Sequence, residues 1–255
     1  MNYPSEPREP LSTCEHENAG VAGLAAGTLV TTPDDDKKIE EIKAGDLVLS
    51  GIGEHYAGFY AVRSATLQHY AGPLLHISIK SGNRLGVTPH HTCFGSLEIE
   101  PIEGSVGVYA FAHGMSGKLS HQVFTSHPST FSIGEFDNLD RAEEAARARA
   151  QAVGGSEVRR FAYLSFDDDF GFMAATDLRI GMNVPVAKVA SIKLPNMDDS
   201  WVKSSAITNI TEEHYDGLVY ALEVPEARNF AAHGVLVHDS KLSFTGRNSS
   251  ELEPS

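Results

Sequence analysis

The sequence predicts a mostly β protein made of two similar, pseudo-symmetric β units with a partly helical insertion between them. Three observations carry that prediction. Residues 23–100 and about 175–240 divide into short apolar stretches separated by Gly, Pro, Asp and Asn turns, the punctuation of strands. Two stretches recur in the same order: IKAGDLVLS at 42–50 is echoed by DLRIGMNVPV at 177–186, and HYAGPLLHISI at 69–79 by HYDGLVYALEV at 214–224. An internal repeat of this kind packs most simply as a pseudo-dimer of β units. Between the halves lies one helix, 137–150, with Asp137 or Asn138 able to cap it and alanines filling its body.

Taken in order, residues 1–22 are polar and contain Pro4, Pro7 and Pro10, which predicts a loosely ordered arm. GLAAGTLVTT reads as a small-residue strand and Pro33 to Asp36 as a turn. Ile39 to Ser50 gives a short helical turn, a Gly-Asp turn and a strand. AVRSATLQHYAG and PLLHISIKSG supply two strands and NRLGVTPHHTCF a third. The insertion is expected at about 101–175: a glycine-rich stretch, a polar stretch, the helix stopped by Gly154-Gly155, and a strand over Val158 to Phe166. Strand character resumes from Thr176 to Ser240, and residues 241–255 form a second polar tail.

Hydrophobic content of 41% over 255 residues is that of a globular chain with a sizeable core. There is no long apolar stretch to span a membrane, and the polar, proline-containing start does not read as a signal peptide, so a cytoplasmic location is expected. Twenty Lys and Arg against 34 Asp and Glu give a net charge of −14, which argues against a general nucleic-acid surface. The two cysteines, Cys14 and Cys93, provide neither a disulfide framework nor a cysteine zinc site. His113, His121 and His127 with Asp167, Asp168 and Asp169 match no metal-ligand spacing, so neither a metal nor a cofactor is expected. The insertion reads as a non-catalytic segment.

The richest chemistry lies near the C-terminal end. An alternating apolar strand runs into His238, then the carboxylate of Asp239, then the hydroxyl of Ser240. A hydroxyl directly after a cleavable peptide bond is what an acyl shift needs, and an adjacent imidazole can move the proton.

With these blocks in place, the chain resembles a Hint domain, the horseshoe-shaped β fold of inteins and hedgehog autoprocessing domains. Gly23 to Val30 resembles the intein N-terminal block, Asn83 to His91 the block whose Thr and second His flank the upstream scissile bond, and Tyr215 to Ser240 the C-terminal blocks. The resemblance covers residues 23–100 and about 175–240, with the three blocks in family order. It implies protein splicing. The first residue takes the upstream acyl group, the residue after the domain accepts it, the last residue releases the segment through its side-chain amide, and a final shift restores a peptide bond. On this reading the domain is 23–239, cut at Ala22-Gly23 and Asp239-Ser240, and 1–22 and 240–255 are flanking extein-like pieces acted on in cis by a monomer. Thr88, His91, His238, Asp239 and Ser240 carry over as site residues, with Gly23 at the nucleophile position.

The departures from the family pattern bear on activity. Gly23 stands where Cys or Ser is expected and offers no atom for the acyl shift. Asp239 stands where Asn is expected and has no amide nitrogen to close a succinimide. Arg228 occupies a position where His is frequent, and Ala221 one where Asp is. The expectation is an inactive or severely impaired precursor of a single-turnover autocatalytic domain. One alternative is a variant route with slow cleavage through Ser240 or Cys93, and a second is a non-catalytic β-domain that serves as a binding module. His233 could support an oxyanion, and His90 should face away from His91. The autoprocessing reading expects Gly23, His91, His238 and Ser240 in one cluster; an unrelated β-domain has no reason to gather them.

Overall fold

The computed structural model describes residues 20–52, 56–96, 106–113, 118–125, 131–136, 139–152, 158–162, 170–189 and 200–239. The first unit opens with β1 (Leu24–Ala25) and β2 (Leu29–Thr31), where the sequence predicts one strand. The strand breaks at Ala26-Gly27 because Gly27 takes φ +79, a conformation that a residue without a Cβ adopts freely. Next come β3 (Asp36–Lys38), a 3₁₀ turn at Ile39–Glu41, β4 (Leu47–Ile52) and β5 (Tyr56–Ala61). β6 (Ser64–Ile79) is one continuous strand where two are predicted. Pro73 withholds a ladder N–H, but the strand runs through it, and the Tyr70 hydroxyl donates to the Pro73 carbonyl at 2.8 Å.

β7 (Arg84–Val87) and β8 (Thr92–Ser96) replace the predicted third strand. Thr88–His91 turns between them, with the His91 N–H donating back to the Thr88 carbonyl at 3.1 Å, and Pro89 in the turn has no N–H to give a ladder. β9 (Val106–His113), β10 (Lys118–Thr125), β11 (Phe131–Phe136), α1 (Leu139–Ala152) and β12 (Val158–Ala162) make up the insertion. The second unit has β13 (Phe170–Ala174), a 3₁₀ turn at Ala175–Asp177, β14 (Asn183–Val189), β15 (Ser200–Glu223), β16 (Asn229–Ala232) and β17 (Val235–His238).

The repeat read from sequence extends to individual hydrogen bonds. In the first unit Ile42 N–H donates to Ile39 O, Gly45 N–H to Val62 O and Val62 N–H to Asp46 O; in the second, Leu178 donates to Ala175, Gly181 to Ile207 and Ile207 to Met182. Gly45 and Gly181 carry matching φ values of +92 and +94. β6 and β15 pair antiparallel from Ser64↔Glu223 to Ile79↔Ile207, and Ala71 faces its own repeat equivalent, Asp216. A pseudo-two-fold axis therefore passes between these two residues, and a second equivalent pair, Leu24↔Val87, faces across β1 and β7. The interior between the units is filled by Leu24, Val87, Leu222, Val224, Phe230 and Val237, all essentially inaccessible.

The insertion replaces a turn. β13 pairs antiparallel with β8 (Phe172↔Phe94) just as β3 pairs with β2 (Val30↔Lys37), so the segment between Ser96 and Phe170 occupies the place held in the first unit by Thr32–Asp35. Phe170–Ala174, assigned by sequence to the insertion, belongs to the two-unit framework for that reason. Within the insertion β9 pairs with β10 antiparallel and with β12 parallel, and α1 buries Ala142, Ala146 and Ala150 along one face. No helix among the described residues is long and apolar enough to cross a membrane.

Candidate functional site

β1 is only two residues long but is held on both sides, with Leu24 opposite Tyr220 of β15 and Val87 of β7. This places Gly23 against the turn that follows β7. The Gly23 N–H donates to Thr88 Oγ1 at 2.9 Å, and the Thr88 N–H donates to the Gly23 carbonyl at 3.0 Å. Thr88 is fully buried, so its hydroxyl grips the nitrogen of the Ala22-Gly23 peptide bond away from water. A Cβ on Gly23 would lie 3.0 Å from Val219 Cβ and 3.2 Å from the Tyr220 carbonyl, so a side chain here requires those neighbours to give by a few tenths of an ångström.

His91 ends the same turn. Its carbonyl accepts from Ala175 N–H at 2.9 Å, tying it to the second unit. The ring is fully buried and neither nitrogen has a hydrogen-bond partner among the described residues. Burial, and secondarily the nearby His238, push its pKa down to about 3, so the imidazole is neutral across the physiological range. His90 is exposed, as expected of the neighbour that faces away.

The downstream end arrives on β17, which pairs with β16, with β14 and, through Val237↔Cys93, with β8. That last pairing brings His238 alongside the Thr88–His91 turn. Phe172 meets the His238 ring edge-on with centroids 5.0 Å apart, and the Phe94 centroid is 6.1 Å away. His238 Nδ1 contacts the Asp239 carbonyl, the acyl group of the Asp239-Ser240 bond, and sits 3.4 Å from Asp239 Oδ1. Asp239 itself is buried. The turn after β15 encloses its carboxylate: Val224 N–H donates to Oδ2 at 3.0 Å and Arg228 Nε is 3.3 Å from Oδ1. The Nε–H is not aligned on Oδ1, which makes the contact an ion pair rather than a hydrogen bond. Asp239 N–H closes the loop on the Arg228 carbonyl at 3.0 Å.

Gly23, Thr88 and His91 thus gather at one turn with His238 near His91, and Asp239 meets Arg228 at the turn that follows β15. His233 does not join them. It sits at the far end of β17, in the β16–β17 hairpin, where φ values of +48 at His233 and +75 at Gly234 make a two-residue turn of the primed kind. Its Nε2 accepts from Leu29 N–H at 3.4 Å, and burial lowers its pKa. Cys93 is buried, and that burial raises its thiol to about 12, the behaviour of a small core side chain rather than a nucleophile. Ser240, Cys14, His127 and Asp167–Asp169 lie outside the described residues; His113 and His121 fall on β9 and β10. Sequence reading missed Phe94, Phe172 and Val224. Val224 acts through its backbone N–H, which has no side-chain signature. Phe172 comes from a strand that the sequence assigned to the insertion.

One of the two peptide bonds is therefore held by a buried hydroxyl and the other touched by an imidazole, with a second, neutral imidazole buried near that ring. Such a set can hold a peptide nitrogen, polarise an acyl oxygen and move a proton.

No protein-family model matches the chain, and no curated protein does. Among solved structures it is similar to a bacterial intein-like domain from Clostridium thermocellum, with 16% identity, TM-score 0.46, 86% of this chain and 99% of that chain covered. It is also similar to the transcription factor IIB Mvu mini-intein, with 15% identity, TM-score 0.46 and coverage of 86% and 100%. A DnaB intein from Synechocystis matches with 12% identity, TM-score 0.44 and coverage of 86% and 99%.

Proposed function

We propose that residues 23–239 are an intein-type autoprocessing domain acting in cis on the bonds Ala22-Gly23 and Asp239-Ser240, and that the chain persists as an impaired precursor. The observations that support this reading lie at the two bonds: Thr88 holds the Gly23 nitrogen, His238 touches the Asp239 carbonyl, and His91 is buried within electrostatic reach of His238. The chemistry would be intramolecular acyl transfer, in which holding the reacting groups together supplies much of the rate. Gly23 removes the first nucleophile, and Asp239 replaces an amide by a carboxylate that closes a ring only through an anhydride. Each lesion alone is sufficient to slow the sequence at its own end. Direct acceptance of the upstream acyl group by Ser240 remains as the variant route; burial of Cys93 and its raised pKa argue against a route through that thiol.

Asp239→Asn tests the reading. The variant is expected to release residues 240–255 over hours to days at neutral pH, seen as a mass loss from the intact 27.5 kDa chain. If it remains one intact species, the autoprocessing reading fails. Restoring the upstream nucleophile needs more room: Gly23→Cys is expected to work better with Val219→Gly, which removes both crowding carbons, than alone, read as thiol-induced release of residues 1–22.

A further inference from the structure

We propose that Arg228 is a positioning residue that clasps the Asp239 carboxylate and keeps the Asp239-Ser240 bond intact. The inference rests on that bond being the downstream processing site. The turn 224–228 grips Asp239 at three points: Val224 N–H on Oδ2, Arg228 Nε beside Oδ1, and the Arg228 carbonyl on the Asp239 N–H. The turn is itself closed by Arg228 N–H donating to the Val224 carbonyl at 2.7 Å. Arg228 adopts φ +58, a left-handed conformation that costs a non-glycine residue energy, and in this turn its guanidinium lies against the carboxylate.

For cleavage without an amide, one carboxylate oxygen of Asp239 must attack the carbonyl carbon of the same residue. That forms the C–O bond of a five-membered anhydride and breaks the C–N bond to Ser240. The departing amine takes a proton from water, and the hydroxide left behind opens the anhydride to two carboxyl groups. The clasp opposes the first step twice. It draws electron density on Oδ1 toward a cation, and it fixes Oδ2 on the Val224 N–H, so neither oxygen is free to swing onto the carbonyl carbon.

The test compares Arg228→Gln and Arg228→Lys, each with Asp239 and with Asp239→Asn, by counting the released 240–255 peptide by mass over days. With Asp239 present, Arg228→Gln is expected to speed release about tenfold, the size of effect that loss of one charged contact produces. Arg228→Lys should retain most of the protection, which a purely structural role for the arginine would not predict. With Asp239→Asn, Arg228→Gln should bring no such acceleration, because an uncharged amide gives the guanidinium no ion pair. Equal, slower or absent release from Arg228→Gln with Asp239 overturns the clasp. Failure of Asp239→Asn alone to cleave instead overturns the processing site. Arg228→Gly, which relieves the positive φ, serves as the second unclasped variant and should match Arg228→Gln; if it does not, the clasp is likewise overturned.

Discussion

His91 enters the folded protein as an uncharged ring, and this makes it an acid sensor for folding. Its pKa falls from 6.5 when exposed to about 3 when buried. Between those values the unfolded chain binds a proton that the folded chain refuses. Stability associated with this residue is therefore full above pH 6.5 and declines as pH falls toward 3, by about 1.4 kcal/mol per pH unit at the steepest. Urea midpoints of the protein and of His91→Gln at pH 7, 5 and 4 should show the variant losing less stability on acidification; parallel slopes would refute the buried neutral ring. The contact of Gly23 with the Thr88–His91 turn was legible because Thr88 and His91 sit in a motif with its own spacing. Arg228 was legible only as a departure from a pattern. Its partnership with Asp239 crosses a turn whose left-handed φ no residue other than glycine or asparagine advertises.

At the level of elements, the β6–β15 ribbon carries the same device twice. The Tyr70 hydroxyl donates to Pro73 O, and the Tyr215 hydroxyl to Leu218 O, both at 2.8 Å. Each ring lies over the glycine two residues on, where a Cβ would come within 2.8 Å of Tyr70 Oη at Gly72 and 2.9 Å of Tyr215 Oη at Gly217. The repeated Tyr-x-Gly was visible in the sequence, but a Gly-Pro pair ordinarily ends a strand, and so one long strand was read as two. The two copies differ in burial, and that sets a prediction. Tyr70 is 3% exposed and has nowhere to move, whereas Tyr215 is only half-buried. Gly72→Ala should therefore destabilise by about 1–3 kcal/mol, as overpacking of a core does, and Gly217→Ala by roughly 1 kcal/mol or less. Chemical denaturation of both variants checks the order; equal costs would count against it.

For the molecule as a whole, the two-unit architecture was readable because the repeats kept their order. The end of the insertion was not, because strand β13 is recognised only by its partner β8, across a separation that sequence alone does not bridge. The pairings that cross the insertion are extensive: β1 and β6 with β15, and β8 with β13 and β17. Neither flank of the insertion holds a complete core. A chain divided within 126–130 should give two pieces that are each unfolded alone and that form a β-rich one-to-one complex on mixing, followed by circular dichroism and size-exclusion chromatography. Independent folding of either piece would contradict the interlocked arrangement.

That interlocking also sets a clock. Thr88 can grip the Gly23 nitrogen early in synthesis, but the residues of β15 that crowd Gly23, Val219 and Tyr220, and the strand that delivers His238, β17, come more than 190 residues after Gly23. On the ribosome, the N-terminal junction therefore waits, incomplete, until the last strand has emerged. On the proposed reading, processing at the first bond begins only after nearly all of residues 23–239 has been made.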